Sequence, residues 1–164
     1  MIAYRVHQLT LSLGDSVPPS TAFFDALDAE RKQTEDFLER HRPNDRPARR
    51  VAVFVFEDIY QAKSWASRAG RALYEVEIAD ADVLHRGDWS WLQIIRNALQ
   101  TNAAQAEGGA DIYWSGLATE TPVWELLARN VKVLREINIP IQERLGLRAK
   151  AVGLPVLGQV PDGQ

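Results

Sequence analysis

Arg5 is the first residue whose type and position suggest chemistry, because it interrupts the short apolar run AYRVH near the N-terminus. A guanidinium is costly to bury unless a partner neutralises it. Arg5 therefore either lies on the solvent face of a strand or holds an anion. In the second case its planar fork matches the geometry of a phosphate or a carboxylate. The sequence leaves both interpretations open.

A pair of aromatic residues, Phe54 and Trp65, is the second such feature. Phe54 belongs to an apolar strand-like run and Trp65 follows ten intervening residues later, in a helix-like segment. Two rings at a strand–helix corner can face each other and hold a flat heterocycle between them. The simpler alternative is core packing, which is the common fate of large aromatic side chains.

Glu125 is the third feature, a carboxylate among the apolar residues of PVWELL. Side chains alternate between the two faces of a strand, so Glu125 would face away from its neighbours Trp124 and Leu126. Glu120 is a second carboxylate in the preceding loop, and paired carboxylates can divide acid and base roles. Both could equally be surface charges.

The hydrophobic pattern predicts strands and helices that would position these residues. The predicted strands are residues 2–8, 51–56 and 72–80, followed by TPVWELL and NVKVLREI, which a tight turn at 128–130 joins. The predicted helices are AFFDALDAERKQTEDFLERH, EDIYQAKSWASRAG and DWSWLQIIRNALQTNAAQAE, the last capped by Asp88 and broken by Gly108-Gly109, with a short helical turn, ADIYWSG, after it. This order favours an α+β domain with a mixed or split β-sheet and flanking helices.

The chain is predicted to form a single domain over residues 1–164, with 138–164 as a tail that wraps the surface or frays. Residues 42–50 form a proline-rich basic loop, in which Arg46, Arg49 and Arg50 could make a local basic patch. No Gly-rich phosphate loop follows a strand, so dinucleotide-fold and P-loop signatures are absent.

Composition excludes several classes of function. The net charge of −3 and the pI of about 5.6 give no general attraction to nucleic acid or acidic membranes. The sequence has no cysteine and 3 histidines without metal-site spacing, so no metal is expected. No stretch resembles a signal peptide or a membrane span, which favours a cytoplasmic protein, or one secreted without a cleaved signal.

Three segments, AYRVH, VAVFVFEDIYQAKSWA and VWELLARNVKVLREI, together resemble the three conserved regions of the ADP-ribosyltransferase superfamily. The resemblance spans roughly residues 2–137 and is nearest to the branch of diphtheria toxin and the poly-ADP-ribose polymerases. YWSG at 113–116 is also similar to a segment of some bacterial domains of this superfamily. The implied fold is ADP-ribosyltransferase-like.

The resemblance also implies roles for individual residues. Arg5 would hold NAD, with His7 as the alternative because histidine is usual in this branch. Phe54 and Trp65 would stack on nicotinamide, where tyrosines are usual. Glu125 would be the catalytic carboxylate. Val123 stands where the arginine-modifying branch carries Glu or Gln, which argues against arginine as the acceptor.

The implied function is NAD-dependent ADP-ribosyl transfer to a protein, nucleic-acid or small-molecule acceptor, or NAD hydrolysis with water as acceptor. A bacterial toxin or effector, with a cognate inhibitor protein as a partner, or a resistance enzyme would fit this size. The alternative from another class is a non-catalytic α+β binding module, either immunity- or antitoxin-like or an inactive member of the fold. A third hypothesis is an RNA-processing phosphotransferase on a related fold, which would need several basic residues in its pocket.

Overall fold

A computed structural model describes residues 1–152 as seven strands and six helices. The strands are β1 (Ile2–His7), β2 (Ser16–Val17), β3 (Val53–Phe56), β4 (Ala72–Glu77), β5 (Val83–Asp88), β6 (Trp124–Ala128) and β7 (Val131–Glu136). The helices are α1 (Ala22–Asp25), α2 (Ala29–Arg40), α3 (Ile59–Ala69), α4 (Ser90–Ala98), α5 (Ala103–Ser115) and α6 (Ile141–Ala151). None of these helices has the length and apolar character needed to cross a bilayer.

All seven strands belong to one sheet in the order β2-β7-β4-β1-β3-β6-β5, and every pairing is antiparallel. The α+β prediction is confirmed, but the predicted mixture of parallel and antiparallel strands is wrong. The predicted split into separate sheets is also not found. A tight turn does join β6 and β7, yet the two strands do not pair as a hairpin, because β7 lies beside β4 and β2.

The strand pairing is shortest between β1 and β3, which share a single register pair, Tyr4 with Phe56. By contrast, β1 pairs with β4 along its whole length, from Ile2 to His7. Beyond Tyr4 the two strands separate, and we call this opening between β1 and β3 the seam. It divides the sheet into a β2-β7-β4-β1 section and a β3-β6-β5 section.

The sheet curls so that its two sections face each other. Ala128 and Val131 are three residues apart and so lie within about 11 Å, whereas four strand spacings in a flat sheet would separate β6 from β7 by about 19 Å. Only a curled sheet satisfies both. Its inner face holds a core built from six of the strands: Ala3, Val17, Val53, Val55, Tyr74, Val76, Ile78, Leu126, Ala128, Val131 and Val133.

Helices cover the outer face of each section. On the β3-β6-β5 section, α2, α4 and α5 pack around Leu127 and include the fully buried Trp114. On the other section, α3 packs Ala62 and Ala66 against Leu73 of β4 and Val6 of β1. Helix α3 ends at Gly70 in the left-handed conformation, at φ 65°, as the sequence predicts.

Two predicted helices are each split in the structure. The first is divided into α1 and α2 because Asp28 begins α2, accepting a hydrogen bond from Arg31 N at 2.8 Å. The third is divided into α4 and α5, and Asn102 caps the second part. Gly108 and Gly109 do not break it but lie inside α5, where a Cβ at 109 would stand 2.9 Å from Ile95 Cγ1. A glycine there lets α5 approach α4 closely.

The tail differs from its prediction where it is described, because Ile141–Ala151 forms α6 rather than a wrapping or frayed segment. The rest of the predicted tail, residues 153–164, lies outside the described residues.

Strand β5 was not predicted, and its last residue, Asp88, anchors the loop that leads into β6. Asp88 is fully buried. Its Oδ1 accepts hydrogen bonds from Ser90 N and Val123 N, both at 2.9 Å. Its Oδ2 accepts from Thr119 N and Oγ1, both at 2.7 Å. Burial alone would raise the pKa of Asp88, but these hydrogen bonds lower it below its ordinary value.

Replacing Asp88 with alanine is expected to lower the free energy of unfolding by about 2–4 kcal/mol. The substitution leaves three part-buried backbone N–H donors without their acceptor, and each unsatisfied donor costs about 1–3 kcal/mol. Urea unfolding measures the change. Asp111, exposed on α5, supplies the matched control, and Asp111→Ala should stay within about 0.5 kcal/mol of the unmodified protein. Equal stability of the two variants would contradict this account of Asp88.

Candidate active site

A cavity of about 340 Å³ opens at the seam, which is within the size range of small-molecule sites. Its lining residues come from strands β1, β3 and β6, from helices α1 and α3, and from the segments before α1, β3, β4 and α4. Residues from all three segments singled out by the sequence line it: Arg5, His7, Phe54, Trp65 and Glu125. Further lining residues include Phe23, Arg49, Phe56, Arg71 and Trp89.

Arg5 lies inside the seam rather than on a solvent face. Its Nη1 donates to the carbonyl oxygen of Phe54 at 2.6 Å, which fills a position where the β1–β3 ladder has ended. Among residues 1–152, its buried Nε has no hydrogen-bond partner, and no carboxylate forms an ion pair with Arg5. Burial, with the nearby Arg71, lowers the pKa of Arg5 to about 10. Arg5 is thus a cation that an anionic ligand would stabilise.

Arg71 and His7 line the cavity near Arg5. His7 pairs in register with Ala72, so Arg71 enters beside the end of β1. His7 Nδ1 lies 3.2 Å from Leu9 N. Burial and the two arginines lower the pKa of His7 below its ordinary value, which favours a neutral imidazole at pH 7. This end of the cavity therefore presents two guanidinium groups, Arg5 and Arg71, neither of which forms an ion pair within residues 1–152.

The predicted aromatic pair lies in two neighbouring aromatic clusters. Phe54 contacts Phe23 at a centroid distance of 5.4 Å. Trp65 contacts Phe56 at 6.1 Å and Trp89 at 5.0 Å. Phe54 and Trp65 both line the cavity without stacking on each other, so a planar group would contact them from the space between the clusters. Phe56 could have been predicted as a further cavity residue, because alternate residues of a strand share one face and Phe56 lies two residues after Phe54.

Glu125 lies at the inner wall with 4% of its surface exposed. Strand β6 places it opposite Phe56 of β3 and Gly87 of β5. Its Oε1 accepts hydrogen bonds from Arg49 Nη1 at 2.5 Å and from the Tyr113 hydroxyl at 2.9 Å. Within the described part of the chain no group donates to Oε2, so this oxygen is left for a ligand in the cavity that Glu125 lines.

Arg49 is the centre of this buried network and not part of a surface patch, which corrects the prediction for the basic loop. Its Nε and Nη2 donate to the two carboxylate oxygens of Glu35 in α2, at 2.8 and 3.1 Å. Its Nη1 also donates to the hydroxyl of Tyr113. The guanidinium lies 4.8 Å from the centroid of the Phe54 ring. A cation–π contact of this kind joins Arg49 to the cavity wall.

The network carries one positive and two negative charges, and this sets the electrostatics of Glu125. Burial raises the pKa of Glu125 above its ordinary value of 4.5, Arg49 opposes that rise, and Glu35 adds to it. Burial alone would lower the pKa of Arg49, but Glu125 and Glu35 raise it well above its ordinary value. Arg49 therefore stays charged at neutral pH.

The carboxylate near Glu125 is Glu35 and not Glu120, which is exposed and does not line the cavity. Glu35, Arg49 and Tyr113 come from three distant segments, and the sequence contains no local pattern that links them. Within residues 1–152, no cluster of acidic or histidine side chains could hold a metal ion. No family model and no curated protein sequence matches the chain.

Proposed function

We propose that the protein is an NAD-dependent ADP-ribosyltransferase or NAD glycohydrolase on an ADP-ribosyltransferase-like fold. One observation carries the proposal: Arg5, His7, Phe54, Trp65 and Glu125, which the resemblance nominated from three separate segments, all line one cavity. The strands that hold Arg5, Phe54 and Glu125 are adjacent in the sheet, as β1-β3-β6.

The cavity offers matching environments to three parts of NAD: the diphosphate, the nicotinamide ring and the ribose that carries it. The guanidinium groups of Arg5 and Arg71, which have no ion-pair partner in the described part of the chain, fit the negative charge of the diphosphate. The aromatic residues Phe54, Phe56 and Trp65 supply flat apolar surfaces for the nicotinamide ring. Glu125 lies at the inner wall, where its Oε2 would accept a hydrogen bond from the 2′-hydroxyl of the adjoining ribose.

The chemistry is cleavage of the bond between nicotinamide and the ribose. As that bond breaks, its electron pair leaves with nicotinamide and positive charge develops on the ribose ring, as in glycoside cleavage. The ionised Glu125 stabilises that charge from a site that Arg49 and Tyr113 hold in advance. The acceptor, or water, then bonds to the ribose carbon and releases a proton.

Incubation with NAD is expected to release nicotinamide, which chromatography measures. NAD binding should also quench tryptophan fluorescence, since Trp65 and Trp89 line the cavity. Trp65→Leu should weaken NAD binding roughly two- to tenfold, because aromatic stacking contributes about 0.5–1.5 kcal/mol. Trp91→Phe is the matched control, since Trp91 does not line the cavity but donates to Leu117 O.

Absence of both nicotinamide release and quenching at millimolar NAD, with or without candidate acceptors, would refute the proposal. Binding without release would instead support an inactive member of the fold. An unrelated binding module is less well supported, because it requires an exposed Glu125 with no pocket joining it to Arg5. Glu125 is 4% exposed and lines the same cavity as Arg5.

A phosphotransferase acting on RNA is also less well supported. Arg50 lies outside the cavity, where it forms a half-exposed ion pair with Asp36. Two carboxylates neutralise Arg49. Arg5 and Arg71 therefore supply most of the charge available to a phosphate.

A further inference from the structure

Tyr113 is hydrogen-bonded to Glu125 but does not itself line the cavity. It is fully buried in α5 and is not among the lining residues. Its hydroxyl accepts a hydrogen bond from Arg49 Nη1 and donates one to Glu125 Oε1 at 2.9 Å. The three groups form a closed triangle in which Oε1 receives two donors.

We propose that Tyr113 is a positioning residue for the reaction: with Arg49 it occupies Oε1 of Glu125, and thereby turns Oε2 toward the ligand. The inference rests on the proposed function. A carboxylate has two equivalent oxygens that rotation about its last bond exchanges. Two donors on one oxygen fix that rotation and leave the other oxygen for the ribose hydroxyl.

Close packing on several sides restricts the position of the Tyr113 ring. Gly87 of β5 lies against the ring, and a Cβ at that position would stand 2.6 Å from Tyr113 Cε2. His85 and Trp114 contact the ring from two other sides, at centroid distances of 5.3 and 5.0 Å. Arg49 covers it as well, with its guanidinium 5.1 Å from the ring centroid. Any larger residue at position 87 would displace the hydroxyl.

The hydrogen bond from the Tyr113 hydroxyl to Glu125 also affects the protonation of Glu125, because a hydrogen bond to the ionised carboxylate favours that form. The groups that act on Glu125 are Arg49 from the turn before β3, Glu35 from α2 and Tyr113 from α5. Across the cavity lie Arg5, His7 and Arg71. His85 lies against the Tyr113 ring, and burial lowers its pKa to about 4. Its titration must therefore be distinguished from that of Glu125.

The test uses the full chain and two variants of the triangle. Tyr113→Phe removes the hydroxyl, while Gly87→Ala keeps it but pushes the ring away. Tyr74→Phe is the control, since Tyr74 is equally buried but its hydroxyl accepts only from Leu11 N among the described residues. Two quantities are measured against pH: nicotinamide release, and the side-chain carboxyl ¹³C signal of Glu125, assigned by its loss in Glu125→Gln.

In Tyr113→Phe, the pKa of Glu125 is expected to rise by about one unit, as for the loss of one hydrogen bond to a carboxylate. The acid limb of nicotinamide release should move to higher pH by the same amount. Gly87→Ala should move both in the same direction, and Tyr74→Phe should move neither.

A slower Tyr113→Phe enzyme whose carboxyl titration and acid limb are both unmoved would overturn the inference, since the hydroxyl would then serve only packing. If the unmodified protein released no nicotinamide, the proposed function would fail. The carboxyl signal would still decide the contact: a shift in Tyr113→Phe supports the placement of Glu125 by Tyr113, and an unshifted signal overturns it.

Discussion

Glu125→Gln is expected to slow nicotinamide release by at least about 100-fold while NAD affinity changes little. Glutamine keeps the size of the side chain and an oxygen that accepts from Tyr113, but it removes the negative charge. Removing one preorganised electrostatic contact to a transition state typically costs about 100- to 1,000-fold in kcat. NAD affinity is largely retained because the charge on the ribose develops only as the bond breaks.

The measurement is kcat and KM for nicotinamide release, with unfolding followed in parallel because Arg49 loses one of its anionic partners. Glu120→Gln is the matched control, since Glu120 is exposed and outside the cavity. Equal turnover in Glu125→Gln and Glu120→Gln would remove Glu125 from the chemistry.

The pH dependence of the unmodified protein follows from the same residue. Glu125 must be ionised to act, and burial raises its pKa above the ordinary 4.5. Release should therefore fall as the pH drops through that raised value, because protonation removes the charge of Glu125. The midpoint of the acid limb is expected above 4.5, and a midpoint below that value would contradict the assignment.

Arg49→Met is expected to cost about 3–5 kcal/mol of unfolding free energy. Removing one member of a buried ion pair leaves its partners as uncompensated buried charges, which is strongly destabilising. Here two carboxylates would lose their partner, Glu35 and Glu125, and both are buried with Arg49, whose side chain is 3% exposed. Methionine retains much of the side-chain volume, so the loss reports mainly on charge.

Urea unfolding of Arg49→Met and Arg50→Met gives the comparison. Arg50 also forms an ion pair, with Asp36, but the two side chains are 51% and 49% exposed. Exposed pairs contribute about 0–1 kcal/mol, so Arg50→Met should change stability little. Similar losses in the two variants would mean that Arg49 is not a buried ionic centre.

The alternation of side chains located most strands because one face of each is apolar. It missed the two-residue strand β2, Ser16–Val17, which precedes two prolines. It also missed β5, Val83–Asp88, whose segment VLHRGD carries four polar or glycine residues. There His85 is buried among aromatic rings and Asp88 binds backbone donors, so tertiary contacts override the local pattern. Gly109 was misjudged for a similar reason, since its role is close helix packing and not chain breaking.

The site residues that the sequence could predict are charged residues within apolar strands, such as Arg5 and Glu125. Their partners could not be found this way. Arg49 meets Tyr113 and Glu125 across 64 and 76 residues of chain, and it lies in a loop whose charges suggested exposure. Arg71 follows the end of α3 and looks like an ordinary surface cation. Only the curl of the sheet and the packing of α5 bring these side chains together.

The seam has a consequence for how the protein responds to a bound molecule. The two sections of the sheet are joined there by one register pair and by the bond from Arg5 to Phe54 O. A molecule in the cavity would touch Arg71 on one section and Glu125 on the other. Its binding free energy would therefore add to the contacts that already join the two sections. Local opening of either section would then require the molecule to leave first.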